Sequence, residues 1–379
     1  MKARRTATSG CPVITGPVTG KTSRPEYSGP EIFLFLELEP SHNFLSMDFS
    51  SSVHWLSNEY RDLNGTTVEV VDYPPTALEF ARLIHISRPV IIKGFHVPAL
   101  QLWSDEYLTE QMGERQISVA VTPNGRADAI TEGPDGRLYF VEPAVDKMIM
   151  KDLLSGLISD THGHVNGEIR YLQSQNGNLF SSESFRQPES DKRRSEFAPL
   201  LKDVPKEIGW CSEALGHVPD AVNLWVGNGQ SITSIHSDPY ENIYTVVRGQ
   251  KHFLLLPPTD SWCLQERLYP HAQYTRDSTG KLELIPSGEA VPQVRWSSVQ
   301  NPDLAGSLPN DVSPIMVTLM PGDTLYLPVG WWHYVRQTDL TIALNWWYDA
   351  ELRGMSWVLL NFLRNPIEVP SGNIEEPDQ

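Results

Sequence analysis

Ser231-Ile-Thr-Ser-Ile-His236-Ser-Asp238-Pro-Tyr-Glu-Asn242 carries the decisive pattern of this 379-residue chain. On a strand, residues two apart point the same way, so His236 and Asp238 can aim an imidazole nitrogen and a carboxylate at one point. A second stretch, Tyr326-Leu-Pro-Val-Gly-Trp-Trp-His333, offers the third donor. His333 opens a strand after a Pro-Gly turn, within an aromatic, water-excluding setting. Two imidazoles and one carboxylate on one side of a metal leave other positions open, as non-haem Fe(II) needs when it binds co-substrate and oxygen together. His-x-Asp alone is weak evidence, because a chain of this length contains such pairs by chance.

The neighbours of the motif sharpen it. Thr233 lies three residues before His236, Asn242 six after it and Lys251 fifteen after it, while Asn345 lies twelve after His333. Lys251 opens the apolar run Lys251-His-Phe-Leu-Leu-Leu256. A lysine there either reaches solvent from a hairpin end or is buried against an anion. Strict alternation puts Thr233 on the face opposite His236, so a bulge near Ser234 is expected.

Together these residues resemble the JmjC branch of the Fe(II)- and 2-oxoglutarate-dependent oxygenases. Further segments resemble the same family: Ser118–Ala129, Tyr171-Leu-Gln-Ser-Gln-Asn176, Trp210–Leu215, Pro219–Trp225, Tyr240–Phe253 and Asn345–Asp349. The likeness runs over about residues 66–365. It implies that His236, Asp238 and His333 hold Fe(II). It also implies that Lys251, Thr233 and Tyr171 bind the far carboxylate of the co-substrate 2-oxoglutarate, with Asn242 and Asn345 as polar groups nearby. Chemistry agrees independently: 2-oxoglutarate is a dianion whose far end needs a buried counter-charge.

Outward from the motif, short strands alternate with turns. They are predicted at 221–226, 231–236, 243–247, 252–256, 315–319, 324–327, 333–336 and 341–347, with turns at Gly227-Asn228-Gly229, Arg248-Gly249-Gln250 and Pro321-Gly322-Asp323. The fold class is mainly β with flanking helices, and the resemblance implies a double-stranded β-helix, the cupin or JmjC jelly roll. Residues 1–50 read as a disordered N-terminal extension, 51–115 as a helical region, 116–350 as the barrel with a mobile insertion at 181–198, 351–365 as a C-terminal helix and 366–379 as a tail. Trp331, Trp332, Trp346 and Trp347 are candidates for the cavity wall, although tryptophan at strand spacing more often packs in plain core. Leu352, Met355, Leu359 and Phe362 form one stripe of the C-terminal helix, with Val358 beside it, which points to a homodimer packed on that helix.

Composition narrows the function. Thirty basic residues against forty-seven acidic ones give −17. All the basic residues before Glu26 stand unopposed by acid, so the rest is more acidic still. Direct nucleic-acid binding is therefore disfavoured, and a basic protein segment is an apt partner. No apolar run is long enough to span a bilayer, so no membrane contact is expected. Three scattered cysteines form no CxxC, which fits a reducing compartment, cytoplasm or nucleus. The basic start also has a weak likeness to a transit peptide.

The resemblance implies a dioxygenase that hydroxylates a protein substrate, with a lysine side chain in a translation-associated GTPase as the expected target. N-methyl demethylation is the alternative within the family. A metal-dependent cupin hydrolase or isomerase, and a non-catalytic JmjC scaffold, are alternatives outside it.

Overall fold

The computed structural model describes residues 49–159, 167–173, 177–186, 195–351, 353–364 and 369–373. Two long strands, Tyr240–Leu256 and Trp332–Asp349, pair antiparallel along almost their whole length. Both are shared between two sheets. On one side, Thr324–Leu327, the first part of Tyr240–Leu256, the last part of Trp332–Asp349 and Ala221–Gly227 lie side by side. On the other, Ile315–Leu319, the second part of Tyr240–Leu256, the first part of Trp332–Asp349 and Ile232–Ser237 do the same. This is the jelly roll that the strand pattern and the resemblance imply.

The sequence signals predict separate strands at 243–247 and 252–256, with a turn at Arg248-Gly249-Gln250. The structure carries one strand through instead. Register shifts on either side of Arg248 bend it from one sheet into the other. Gly249 makes the bend possible: its φ is +74°, and an added Cβ would collide with the Thr341 hydroxyl and the Leu340 carbonyl. The partner strand bends near Asp339, itself at φ +41°, which joins the predicted strands 333–336 and 341–347 in the same way.

Alternation then sorts the side chains. Ile243, Leu344 and Trp346 join the outer core against the helices, whereas Tyr244, Ala343 and Trp347 face the interior between the sheets. Phe80 lies edge-on to Trp210 and Tyr326, docking the helix Ala77–Ile86 onto the barrel. That helix opens with a reciprocal Thr76–Glu79 capping box. The first helix, Phe49–Asn64, is tied down where Ser57 and Arg61 meet the buried Asp260.

Residues 51–115 are not wholly helical. Glu69–Val71 and Val90–Ile92 pair in parallel and extend the large sheet past Thr324–Leu327. The expected loop at 181–198 also differs at its ends. Residues Ser182–Arg186 form a helix with Ser184 buried, Glu196 bridges Ser118 and Lys147, and Phe197 is buried. Residues 187–194 lie outside the described residues, as do residues 1–48 of the expected N-terminal extension. The C-terminal helix spans Met355–Leu363, shorter than 351–365. Within the expected tail, Leu268 donates to the Pro370 carbonyl, and the Asn373 side chain bonds the backbone of Leu138.

A layer that strand patterning did not reveal is a side sheet of Ala129–Glu132, Leu138–Glu142, His271–Arg276 and Leu282–Pro286. Arg267–Tyr269 pairs with Val294–Trp296 beside it. These strands bring Phe140, Glu142 and Trp296 to the cavity of the barrel.

Candidate active site

The donors meet because of register. His236 and His333 stand opposite one another on neighbouring strands, with ring centres 4.2 Å apart. Asp238 follows the first strand and places its two oxygens 3.6 Å from His236 Nε2 and 3.7 Å from His333 Nε2. One donor atom from each residue lies within 4.8 Å of the other two. His236 Nδ1 bonds the Ser234 carbonyl at 2.8 Å, and His333 Nδ1 bonds the Trp331 carbonyl at 3.1 Å. A carbonyl only accepts, so each Nδ1 carries the proton and each Nε2 lone pair is free for a metal. Burial, with the neighbouring His236 second, pushes the His333 pKa down to about 4, which keeps that imidazole neutral. The Gly330 amide donates to the Asp238 carbonyl and pins the two donor loops together.

Thr233 reaches the same cavity through the expected bulge. Thr233 pairs with Val335 and His236 with His333, so three steps on one strand match two on the other. The cavity, about 480 Å³, takes in all three donors together with Thr233, Tyr171, Lys251, Asn242 and Asn345.

Its deep end is the informative part. Lys251 is only 2% exposed, and its Nζ donates to the Tyr171 hydroxyl at 3.1 Å. Among the described residues no carboxylate pairs with it. Burial alone lowers its pKa to about 7. The Tyr171 hydroxyl is held in its protonated form by burial and sits beside Thr233. An ammonium in this position calls for an anion, and a ligand carboxylate meets the need. The solvent-facing hairpin reading of Lys251 is thereby set aside. Asn345 accepts from Trp225 Nε1 at 2.9 Å and Asn223 Nδ2 at 3.2 Å, and donates to Asn242 Oδ1 at 3.1 Å. It therefore positions Asn242 and the cavity wall.

Of the four tryptophans that are candidates for the wall, Trp347 alone lines the cavity. Trp346 points outward and donates to the Pro205 carbonyl, Trp331 donates to Ser87, and Trp332 lines a separate cavity beneath the C-terminal helix. Adjacent strand residues face opposite sides, so Trp346 and Trp347 had to split. Trp225 and Trp296 complete the lining, with Trp296 stacked on His236 at 5.9 Å.

Several residues at the cavity were not found by motif. Asp128 holds φ +53°, receives the Ser234 hydroxyl at its carbonyl and accepts from Gln173 at its carboxylate. Burial, and then Glu142, raises the Asp128 pKa to about 6. Glu142 lies 3.5 Å from His271. No periodic or spacing signal marks these residues, although Asp128 lies within the family-like segment Ser118–Ala129.

A family profile described as "Cupin-like domain" matches residues 75–354. Similar proteins include "Lysine-specific demethylase JMJ32" of Arabidopsis thaliana, 38% identical over 82% of this chain and 90% of that protein. "Bifunctional peptidase and (3S)-lysyl hydroxylase JMJD7" of Homo sapiens is 37% identical over 75% of this chain and 84% of its own. "JmjC domain-containing protein E" of Dictyostelium discoideum is 31% identical over 76% and 86%.

The donor set predicts the effect of removing its one charge. Asp238→Ala leaves two neutral imidazoles, so Fe(II) affinity measured by anaerobic titration should fall on the order of 100-fold. Full metal occupancy in that variant would contradict the assignment.

Proposed function

This chain belongs to the cupin-like JmjC family of 2-oxoglutarate-dependent oxygenases, and on that premise we propose that it is an Fe(II)-dependent protein hydroxylase acting on a lysine side chain. The observation that carries the reading is Lys251, a buried ammonium without a protein carboxylate, in the same cavity as a His-Asp-His set. A hydrolase or isomerase built on the same three donors has no use for that cation.

Bound by His236, Asp238 and His333, Fe(II) supplies the oxygen chemistry that couples decarboxylation of 2-oxoglutarate, to succinate and CO₂, to hydroxylation of a C–H bond. The residues of the chain do the rest. Lys251, Tyr171 and Thr233 hold the far carboxylate and so fix the direction of the co-substrate. Phe253, Tyr244 and Val335 exclude water around its carbon chain. At the other end Asp128 and Glu142 supply negative charge beside Phe140 and Trp296. A lysine presents an apolar stem to such rings and an ammonium to such carboxylates.

Lysine is also the residue in the names of the human and plant relatives, one called a hydroxylase and the other a demethylase. Carboxylates in the cavity favour an unmethylated ammonium, which donates three hydrogen bonds, whereas a trimethylated one donates none and is better served by an aromatic cage. Hydroxylation is therefore preferred to demethylation here. A translation-associated GTPase is the proposed partner, through a basic segment that the acidic chain attracts. Cytoplasm or nucleus is the proposed setting, which suits the unpaired buried thiols of Cys211 and Cys263. Among the described residues no helix is long and apolar enough to cross a membrane.

Assembly enters the same proposal. In the C-terminal helix, Leu360 packs on Gly330 and Leu363 is buried, so one face covers the donor loops. The other face leaves Met355 80%, Val358 57%, Leu359 53% and Phe362 51% exposed. Such a patch on a terminal helix fits a two-fold homodimer.

Three measurements test these readings. Succinate should form from 2-oxoglutarate with Fe(II) and oxygen in the wild type, and His236→Ala should abolish it. A lysine peptide should gain one oxygen without releasing formaldehyde; formaldehyde would favour demethylation, and no succinate would reject the oxygenase reading. By light scattering at micromolar concentration the protein should have twice the chain mass and Leu359→Glu the chain mass. A monomeric wild type would reject the dimer.

A further inference from the structure

Gln337 is 5% exposed, yet neither its amide nitrogen nor its amide oxygen has a hydrogen-bond partner among the described residues. A buried primary amide with both ends unmet costs as much as two lost hydrogen bonds, so a native chain retains one where something else meets it. Its place in the fold indicates what that is. Gln337 stands directly opposite Lys251 in the ladder between the two long strands. Directly opposed residues project to the same face of a sheet. On its own strand it follows His333 and Val335, both of which line the cavity, at the same two-residue interval, and it lies one step beyond that lining, behind Lys251 and Tyr171.

Gly227 fixes the position further. An added Cβ there would collide with Gln337 Nε2 and with the ring of Tyr171, so amide and ring both rest against the bare Cα. The hydroxyl of that same Tyr171 receives the Lys251 ammonium. The unpartnered amide and the Lys251 ammonium thus flank the same tyrosine.

We propose that Gln337 is a further binding residue for the co-substrate, its amide N–H donating to the far carboxylate beside Lys251, Tyr171 and Thr233. The inference rests on the 2-oxoglutarate reading given above. A carboxylate accepts at about four lone-pair positions, more than Lys251 and the hydroxyls of Tyr171 and Thr233 fill, so an additional donor has a place. Gly227 is then a glycine because the amide needs the room that a side chain would occupy.

The test compares two 2-oxo acids. Gln337→Met keeps the length and removes both polar atoms; Gln337→Glu keeps the shape and sets a like charge against the ligand. Each is loaded with Mn(II) and titrated with 2-oxoglutarate and with pyruvate, which has no far carboxylate, by calorimetry or tryptophan fluorescence. Gln337→Met should weaken 2-oxoglutarate about tenfold or more, the loss of one hydrogen bond to a charged group. Gln337→Glu should weaken it further, and both should leave Mn(II) and pyruvate binding within about twofold.

Unchanged 2-oxoglutarate affinity in Gln337→Met would overturn the inference, leaving the amide to a buried water. Equal losses for 2-oxoglutarate and pyruvate would overturn it as well, since the residue would then only support the fold. If the wild type itself binds pyruvate and 2-oxoglutarate equally, the co-substrate reading fails and this inference with it.

Discussion

The hydrogen-bonded ladder between Tyr240–Leu256 and Trp332–Asp349 is the constraint from which the site follows. It seats His333 opposite Leu255 and Gln337 opposite Lys251, four residues apart on each strand. At the usual strand rise that separation is about 13 Å along the backbone. Side chains reaching inward from both ends leave room for a short dicarboxylate between a metal donor and an ammonium. A slip of one residue would turn His333 and Lys251 out of the cavity together. The bends at Gly249 and Asp339 are what let one pair of strands serve both sheets, and so enclose the cavity at all.

Electrostatics gives the cavity its direction. At the deep end lies one cation, Lys251, in surroundings of Tyr171, Phe253 and Tyr244. The acids Asp128, largely buried, and Glu142, exposed, line the same cavity. The three metal donors stand between. On the proposed reading, an anionic co-substrate would be drawn past the metal donors to the lysine and a cationic side chain would be held beside the two acids. The C-terminal helix touches the same centre from behind, through Leu360 on the glycine whose amide bonds the Asp238 carbonyl.

Much of this was legible in residue order because strands convert spacing into direction. The pair His236 and Asp238, the offset of Lys251 and the need for a bulge at Thr233 are all statements about a period of two. The same rule, pressed further, would have separated Trp346 from Trp347. What spacing did not disclose depends on contacts made across long stretches of chain. Gly249 reads as a turn but bends a strand, because only the Thr341 backbone across the ladder decides between the two. Asp128, from a bend, and Glu142 and Trp296, from strands of the side region, meet only in the folded chain. Gln337 became visible through its lack of partners, which residue order does not contain.

The account stands or falls on Lys251 being the counter-charge for a bound carboxylate. Without that anion its pKa is held near 7 by burial, below its ordinary value of 10.5. The folded protein then binds fewer protons than the unfolded chain between these values, so the free protein gains stability as pH rises from about 7 to 10.5 and loses it on the way down. A bound carboxylate favours the charged form and raises the pKa again. Binding at pH 8 is therefore expected to take up protons. Calorimetric titration of the Mn(II)-loaded protein with 2-oxoglutarate, repeated in buffers of different ionisation enthalpy, measures that uptake. The account predicts net proton uptake for the wild type and none for Lys251→Met; tight binding with no proton uptake in the wild type would contradict it.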